Sequence, residues 1–387
     1  MSLAASLRYR LYRLADFAYI GDVPWMTGVS FSSELNAAGQ FQGTIDLSEP
    51  ANAGISPYII PARTALVVDL DGAIAWGGIV WTKDYTRSSR SVAIGGSEFW
   101  SYFAARVQAA DYTTTWATTL TDPQAIAYQV THDALQVNYP AFNIYSPPIV
   151  ANASPPSPSA YWVNASYPQT EQQTVDSIVQ TLAQQGYEAG GFDYRVKPAY
   201  GIGNALTASA NFEYPRTGNI YGSGGWYQTV DVGGDVCVDF EYPADATQMG
   251  NFEYMLALGG QSAEGGFVAS GGPWPLLEQV VSQVGLAGNT SPYFLIQLLQ
   301  SYLAAAGYPV VAPVLTTNAA LMGPDVLSPG DDLRVHLPAG DLCFPGGWDI
   351  VWRVQRLDTT VPDEGVATTA ITLNVPPVAS VPYLPPL

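Results

Sequence analysis

The stretch Phe41-Gln42-Gly43-Thr44-Ile45-Asp46-Leu47 alternates apolar and polar residues. A period of two is typical of a β-strand with one buried face. Outward from this stretch, similar segments occur at Thr64–Leu70, Ile74–Thr82 and Ser91–Gly95, with Gly or Asp-Gly between them, and a short helix is expected over Glu98–Val107. The first hundred residues are therefore predicted to form a meander of antiparallel strands.

Two helices are predicted in the segment that follows. The first is expected over Asp122–Val137, because Asp is a good cap and the Pro after it suits the first turn. The second is expected over Thr170–Gly186, where Gln173 would complete a capping box. Its apolar stripe would consist of Val175, Ile178, Val179 and Leu182.

The remainder of the chain is predicted to be mixed. Strands are expected again over 192–258, and helices over Pro275–Val284 and Pro292–Ala306. Strands should resume near Asp332. Pro376–Leu387 is rich in proline and is expected to form an extended tail.

The composition indicates a folded subunit of a larger assembly. The 387 residues include 33 Asp and Glu against 14 Lys and Arg, for a net charge of −19. Apolar residues make up 48%, which excludes a mainly disordered chain. Charged residues make up only 12%, about half the usual share, so little charge is available to cover a free surface.

The residue types that carry most enzyme chemistry are scarce. Cys237 and Cys343 are too few for a disulfide framework or a structural zinc site. His132 and His336 have no nucleophile, metal-ligand or phosphate-binding motif beside them. We therefore expect no enzyme activity, no cofactor and no bound metal.

Stable membrane insertion is not expected. The predicted helix at Pro292–Ala306 is too short to span a bilayer core of ~30 Å. Arg8, Arg10 and Arg13 interrupt the region in which a signal peptide would need an apolar run.

One segment carries a distinct acidic pattern. In Val236–Tyr242 the apolar residues alternate with Cys237, Asp239 and Glu241, so a strand here would have one buried and one acidic face. An ordinary solvated face is the simpler interpretation. A second segment, Tyr221–Tyr227, could present aromatic rings on a glycine-rich loop, as carbohydrate-binding proteins do, although core packing would also explain these rings.

Three segments carry a resemblance to a known family. The order of elements, with Gly77–Tyr85 and Ile94–Trp100 near the end of the first β region and Leu327–Asp332 before the last strands, resembles the tail-hub minor tail proteins of long-tailed bacteriophages. The likeness extends over most of residues 7–375. Scarce lysine, with much Ala, Gly and Pro, suits a GC-rich host such as an actinobacterium.

The resemblance implies an α+β fold that is mainly β and is related to the baseplate hub of contractile tails. Two tail-tube-like antiparallel β-barrel domains, with helical and mixed inserted domains, would assemble as a homotrimer. The implied boundaries are 1–108 for the first barrel, 109–191 for a mixed side domain, 192–258 and 325–375 for the two parts of the second barrel, 259–324 for a helical insertion and 376–387 for the tail.

The function implied by the resemblance is structural. The protein would be made in the host cytoplasm and placed in the virion at the tail tip, where a trimeric hub adapts the hexameric tail tube and lets DNA pass. Its partners would be other copies of itself, the distal tail or tail-tube protein, other tail-tip proteins, the tape-measure protein and passing DNA bound without specificity. Asp239 and Glu241 are the candidate channel-lining residues. The alternative is a tail protein that binds or hydrolyses carbohydrate of the host envelope.

Overall fold

The protein is mainly antiparallel β with few helices, as predicted. The computed structural model describes residues 7–374 except 71, 111–122, 153–166, 185–191, 215, 246, 248–251, 258–261, 267–275, 284–295, 297–298 and 300–309. The predicted tail at 376–387 and nearly all of the predicted helix at 292–306 lie outside these residues. No helix among the described residues is both long and apolar enough to cross a membrane.

The predicted meander of the first hundred residues is confirmed. Phe41 and Ile45 are buried while Gln42 is exposed, so the alternation does mark one buried face. The strands are β1 Leu7–Arg13, β2 Tyr19–Val23, β3 Thr27–Glu34, β4 Gln40–Asp46, β5 Thr64–Leu70, β6 Ala73–Thr86 and β7 Ser91–Glu98.

The α-helices whose bounds lie within the described residues are α1 Pro50–Ile55, α2 Ser101–Ala104, α3 Pro123–Gln136 and α4 Val175–Gln184. The helix expected over Glu98–Val107 is reduced to α2, because β7 continues through Glu98. The start predicted at Thr170 is wrong. Gln172 adopts a left-handed conformation (φ 50°), and the hydroxyl of Thr174 accepts from the amide of Ser177 at 3.2 Å as the cap of α4.

Strands dominate the rest of the chain. They are β8 Ile149–Ala151, β9 Asp193–Tyr200, β10 Leu206–Glu213, β11 Thr229–Asp231, β12 Cys237–Glu241, β13 Ala244–Asp245, β14 Phe252–Ala257, β15 Ser262–Gly266, β16 Glu278–Gln283, β17 Val310–Val311, β18 Val314–Asn318, β19 Asp332–Leu337, β20 Trp348–Val361 and β21 Thr368–Asn374. The helix predicted over Pro275–Val284 is wrong, because β16 pairs in parallel with β14 along its whole length. Long-range pairing overrides local helix preference here.

One sheet contains strands from both ends of the chain. Its order is β12-β18-β21-β20-β3-β4-β7-β6-β5-β1-β2, with β11 and β19 attached beside β20, and it curls as a half-barrel. The strands β1 to β7 form the first group in this sheet, and β11, β12 and β18 to β21 form the second group. The two groups meet where β3 pairs with β20, from Glu34 opposite Arg356 to Val29 opposite Val361. The division into two barrel domains with the boundaries given above stays a prediction.

The side unit, made of α2, α3, α4 and strands β8 to β10, packs against the first group of strands. Its predicted apolar stripe on α4 is fully buried. Trp100 is central, since its ring lies 4.5 Å from that of Tyr194 and 4.9 Å from that of Phe103. This cluster anchors the side unit to the sheet.

A buried ion pair joins the side unit to the second group of strands. Arg353 on β20 bonds Asp193 on β9, and their side chains are only 4% and 6% exposed. Asp193 also accepts from the amide of Thr217 at 2.6 Å, and the Nε of Arg353 donates to the carbonyl of Gly330 at 3.3 Å. The two charged side chains therefore have all of these hydrogen-bond partners only when β9, β20 and the turn at Gly330 pack against one another.

Replacing Arg353 should destabilise the protein strongly. The variant Arg353→Met leaves the Asp193 carboxylate buried without its cation, at an expected cost of about 3–5 kcal/mol in the free energy of unfolding. Urea unfolding followed by tryptophan fluorescence measures this loss. The exposed pair Arg13–Asp16 supplies the control, since Arg13→Ala should leave the unfolding midpoint unchanged. Equal midpoints for Arg353→Met and wild type would contradict the role given to this pair.

Candidate functional site

One side of the central strands faces away from the two hydrophobic clusters that contain Ile45 and Leu357, and most of its residues are partly or fully exposed. We call it the open face. One lateral row crosses seven strands through directly paired residues: Asn318, Thr368, Thr360, Ser30, Gln42, Gly95 and Thr82. Paired residues in antiparallel strands share a face, so this row is a band of small or uncharged polar side chains.

Neighbouring rows add acidic groups. Asp358 on β20 pairs with Ala370 on β21, which pairs with Thr316 on β18. Thr316 in turn pairs with Asp239, which extends this row to the edge strand β12. Toward the β6 end of the same face, Asp84 on β6 pairs with Ala93 on β7. The open face therefore carries negative charge at several positions.

The one cation in these rows is neutralised within the sheet. Arg356 donates to both oxygens of Asp358, at 2.7 and 2.6 Å, and its third nitrogen lies 3.4 Å from the Glu34 carboxylate. Lys83 lies on β6 but points to the other side, where it donates to the carbonyl of Ser56 at 2.7 Å. The rows described here hence offer no unpaired Lys or Arg to a phosphate group.

Asp239 and Glu241 are exposed and lie opposite Thr316 and Val314, so both belong to the rows of the open face. The predicted faces of this strand need one correction. Cys237 is buried and Val238 is 66% exposed, the reverse of the simple alternation. A β-bulge between Cys237 and Asp239 leaves Val238 without a partner on β18 and shifts the register by one residue.

Both ends of the sheet have unpaired edges among the described residues. β2 pairs only with β1, and β12 pairs only with β18. Free strand edges expose backbone donors and acceptors that can pair with another chain. The curled sheet is therefore open at both ends to further strands.

The segment Leu327–Asp332 forms a buried polar turn that holds the loop after β10. Asp331 accepts from the amide of Ser328 at 2.8 Å and from the amide of Asn219 at 2.7 Å. Asp332 accepts from the amide of Tyr221 at 3.0 Å and pairs with Arg216 at 2.5 Å. The strand predicted to begin near Asp332 is confirmed, since β19 begins at that residue, and both carboxylates have structural partners.

A cleft of about 280 Å³ lies where β3, β7, β9 and this turn meet, and Glu34, Glu98, Arg195 and Pro329 line it. The Glu98 carboxylate accepts from the Ser33 hydroxyl at 2.7 Å and from the amide of Gly39 at 2.8 Å. Burial raises the pKa of Glu98 to about 7, although both hydrogen bonds oppose that rise.

The two histidines lie on different elements. The Nδ1 of His132, on α3, lies 3.3 Å from the carboxylate of the adjacent Asp133, and His336 is on β19 opposite Asp349. Cys237 is buried and Cys343 is exposed, both as free thiols. Within the described part of the chain, no group of three or more His, Cys, Asp or Glu could hold a metal ion.

No protein-family model matches this sequence, and no curated protein matches it significantly. Solved structures share its fold. A tail protein from Neisseria meningitidis MC58 aligns over 95% of this chain and 96% of its own, with a TM-score of 0.58 and 12% identity. The 43 kDa tail protein of prophage MuSo2 from Shewanella oneidensis aligns over 95% and 96%, with a TM-score of 0.56 and 12% identity. The prophage tail protein gp18 from Listeria monocytogenes EGD-e aligns over 96% and 95%, with a TM-score of 0.52 and 12% identity.

These three neighbours show that this chain has the fold of these tail proteins along nearly its whole length. The resemblance found in the sequence is thus confirmed at the level of the fold.

Stability should depend on the ionisation of Glu98. The folded state holds the proton of Glu98 more tightly than the unfolded chain, since its pKa rises from 4.5 to about 7. Its contribution to stability is therefore fully present below pH 4.5 and decreases as the pH rises to 7. Glu98→Gln should remove this decrease in urea unfolding measured across that pH range. The exposed control Glu171→Gln should keep it, and a Glu98→Gln profile parallel to wild type would contradict the assignment.

Proposed function

We propose that this protein is a structural subunit of a phage-type tail hub, in which three copies form a ring whose channel is lined by the open face. The observation that carries the proposal is the open face itself: rows of mostly uncharged and acidic side chains over eight strands, in which the cation Arg356 is paired with Asp358 and Glu34, on a fold shared with tail proteins of known structure.

The free edges support ring formation. A curled sheet with unpaired edges at β2 and β12 can remove them by joining copies of itself in closed symmetry. The low share of charged residues also suits a chain that covers part of its surface with other subunits. If each of the two groups of strands in a copy takes the place of one tube subunit, three copies would match a six-fold tail tube.

The size of such a ring is sufficient for DNA. The eight strands that carry the open face, β12, β18, β21, β20, β3, β4, β7 and β6, are spaced ~4.8 Å apart, so three copies give a perimeter of at least about 115 Å and a backbone diameter of at least about 37 Å. Side chains of about 5 Å on each side leave a bore of about 27 Å, before strand tilt widens it. A duplex would pass through this bore.

The chemistry of the open face supports passage rather than binding. Proteins hold DNA through Lys and Arg that displace counterions from phosphates. The one cationic side chain in the described rows of the open face is Arg356, and Asp358 and Glu34 neutralise it. Asp239 and Glu241 add negative charge. A polyanion is repelled weakly along such a wall and does not adhere to it.

The remaining contacts follow from this placement. The ring would be part of the virion tail tip, with the distal tail or tail-tube protein on one side, other tail-tip proteins on the other, and the tape-measure protein inside before DNA leaves. The role is structural and non-enzymatic.

The ring can be observed directly. Electron microscopy of the purified full-length protein, with mass measurement in solution and on isolated tails, should give a three-fold ring with a central channel. A protein that is monomeric both in solution and on tails would overturn the proposal.

Reversing charge on the open face should slow DNA release. In phage particles carrying Asp239→Lys with Glu241→Lys, we expect an intact ring and slower ejection, with the slowing relieved as salt shortens the Debye length below ~8 Å. The matched control is Glu171→Lys with Glu264→Lys, two exposed acids off the open face, which should eject normally. Equal rates for both double variants would contradict the channel position of β12.

A further inference from the structure

A second exposed cluster is formed by the loop before β11 together with residues of β19 and β20. Tyr221 and Tyr227 meet with ring centroids 5.7 Å apart and planes at 80°, so the two rings form a corner. Tyr227 is 63% exposed. The sequence pattern singles out this pair, and the proposed hub function does not use it.

A planar ion pair borders the corner. Arg334 on β19 donates through two nitrogens to the two oxygens of Asp349 on β20, and its third nitrogen lies 3.2 Å from the hydroxyl of Tyr221. The guanidinium carbon is 5.9 Å from the centre of the Tyr221 ring. Arg334 and Asp349 remain 42% and 38% exposed, so both keep polar atoms available to a ligand.

The cluster is held rigid before any ligand arrives. The amide of Tyr221 donates to the carboxylate of Asp332 at 3.0 Å, and the indole of Trp226 donates to the Asp332 carbonyl at 2.8 Å. Gly222, at φ +80°, closes the loop by donating to the carbonyl of Trp226 at 2.9 Å. A pre-ordered surface loses little conformational entropy when it binds.

We propose that the surface formed by Tyr221, Tyr227, Arg334 and Asp349 binds a neutral sugar ring of a host-envelope glycan. A pyranose presents a face of C–H groups that packs on an electron-rich aromatic ring, and its rim of hydroxyls both donates and accepts hydrogen bonds. Tyr227 offers the ring, and the Arg334–Asp349 pair offers planar donors and acceptors beside it.

Charge selects the neutral class of glycan. The four side chains sum to zero charge, because Arg334 is paired with Asp349. The segment around them is acidic, with Asp231 on β11 and Asp235 after it. Acidic polysaccharides would be repelled, whereas neutral hexoses and N-acetylhexosamines would meet no such barrier.

The test uses the full-length protein and a panel of neutral oligosaccharides of glucose, galactose, mannose, rhamnose and N-acetylglucosamine, with an oligogalacturonate as the acidic arm. Saturation-transfer NMR and calorimetry at millimolar sugar should show binding of at least one neutral member and none of the acidic one. Tyr227→Ala should weaken the Kd about tenfold, whereas Tyr227→Phe, which keeps the ring, should change it less.

Tyr58→Ala is the matched control, since Tyr58 is 59% exposed on a different part of the surface and should not alter binding. Thermal unfolding checks that each variant is folded. The proposal is overturned if no neutral member binds, if only the acidic glycan binds, or if folded Tyr227→Ala retains the wild-type Kd. Ring assembly, measured by mass, is expected to be unchanged in every variant, so this result is independent of the proposed hub function.

Discussion

Backbone pairing between β3 and β20 is the constraint on which the rest of the structure depends. It joins Glu34 to Arg356 across 322 positions of the chain and makes one sheet out of two groups of strands. Only through this pairing does the row at Thr360, Ser30 and Gln42 continue from one group to the other. Such a distant contact has a high cost in chain entropy, so it needs support from neighbouring contacts that form only in the same arrangement.

The ionic junction provides that support. Arg353 and Asp193 are both buried, and a buried charge without its partner costs more than almost any other local defect. The pair therefore penalises arrangements in which the side unit and β20 are apart. The polar turn at Asp331 and Asp332 adds the loop of Tyr221 to the same junction, so one network positions the sheet, the side unit and the aromatic corner.

Local periodicity in the sequence predicts a substantial part of this fold. The alternation at 41–47, the strands around it and the apolar stripe of the helix at Val175–Gln184 follow from which positions must be buried, and the structure buries them. From the excess of acid and the low share of charged residues, the sequence predicts a subunit that neither binds nucleic acid tightly nor exposes its whole surface, and this stays a prediction. Exposure of Asp239 and Glu241 also follows from the sequence.

Tertiary structure decided everything that depends on pairing between distant segments. Local preference suggests a helix over Pro275–Val284, but β14 supplies a partner that makes a strand more favourable. The bulge at Val238 is invisible in the alternation, because it arises from the register against β18. The open face and the corner of Tyr221 and Tyr227 with Arg334 each combine residues from separate strands. Sequence determines which side chains can be buried or exposed along one element, whereas the hydrogen-bonded register between elements determines which exposed side chains become neighbours.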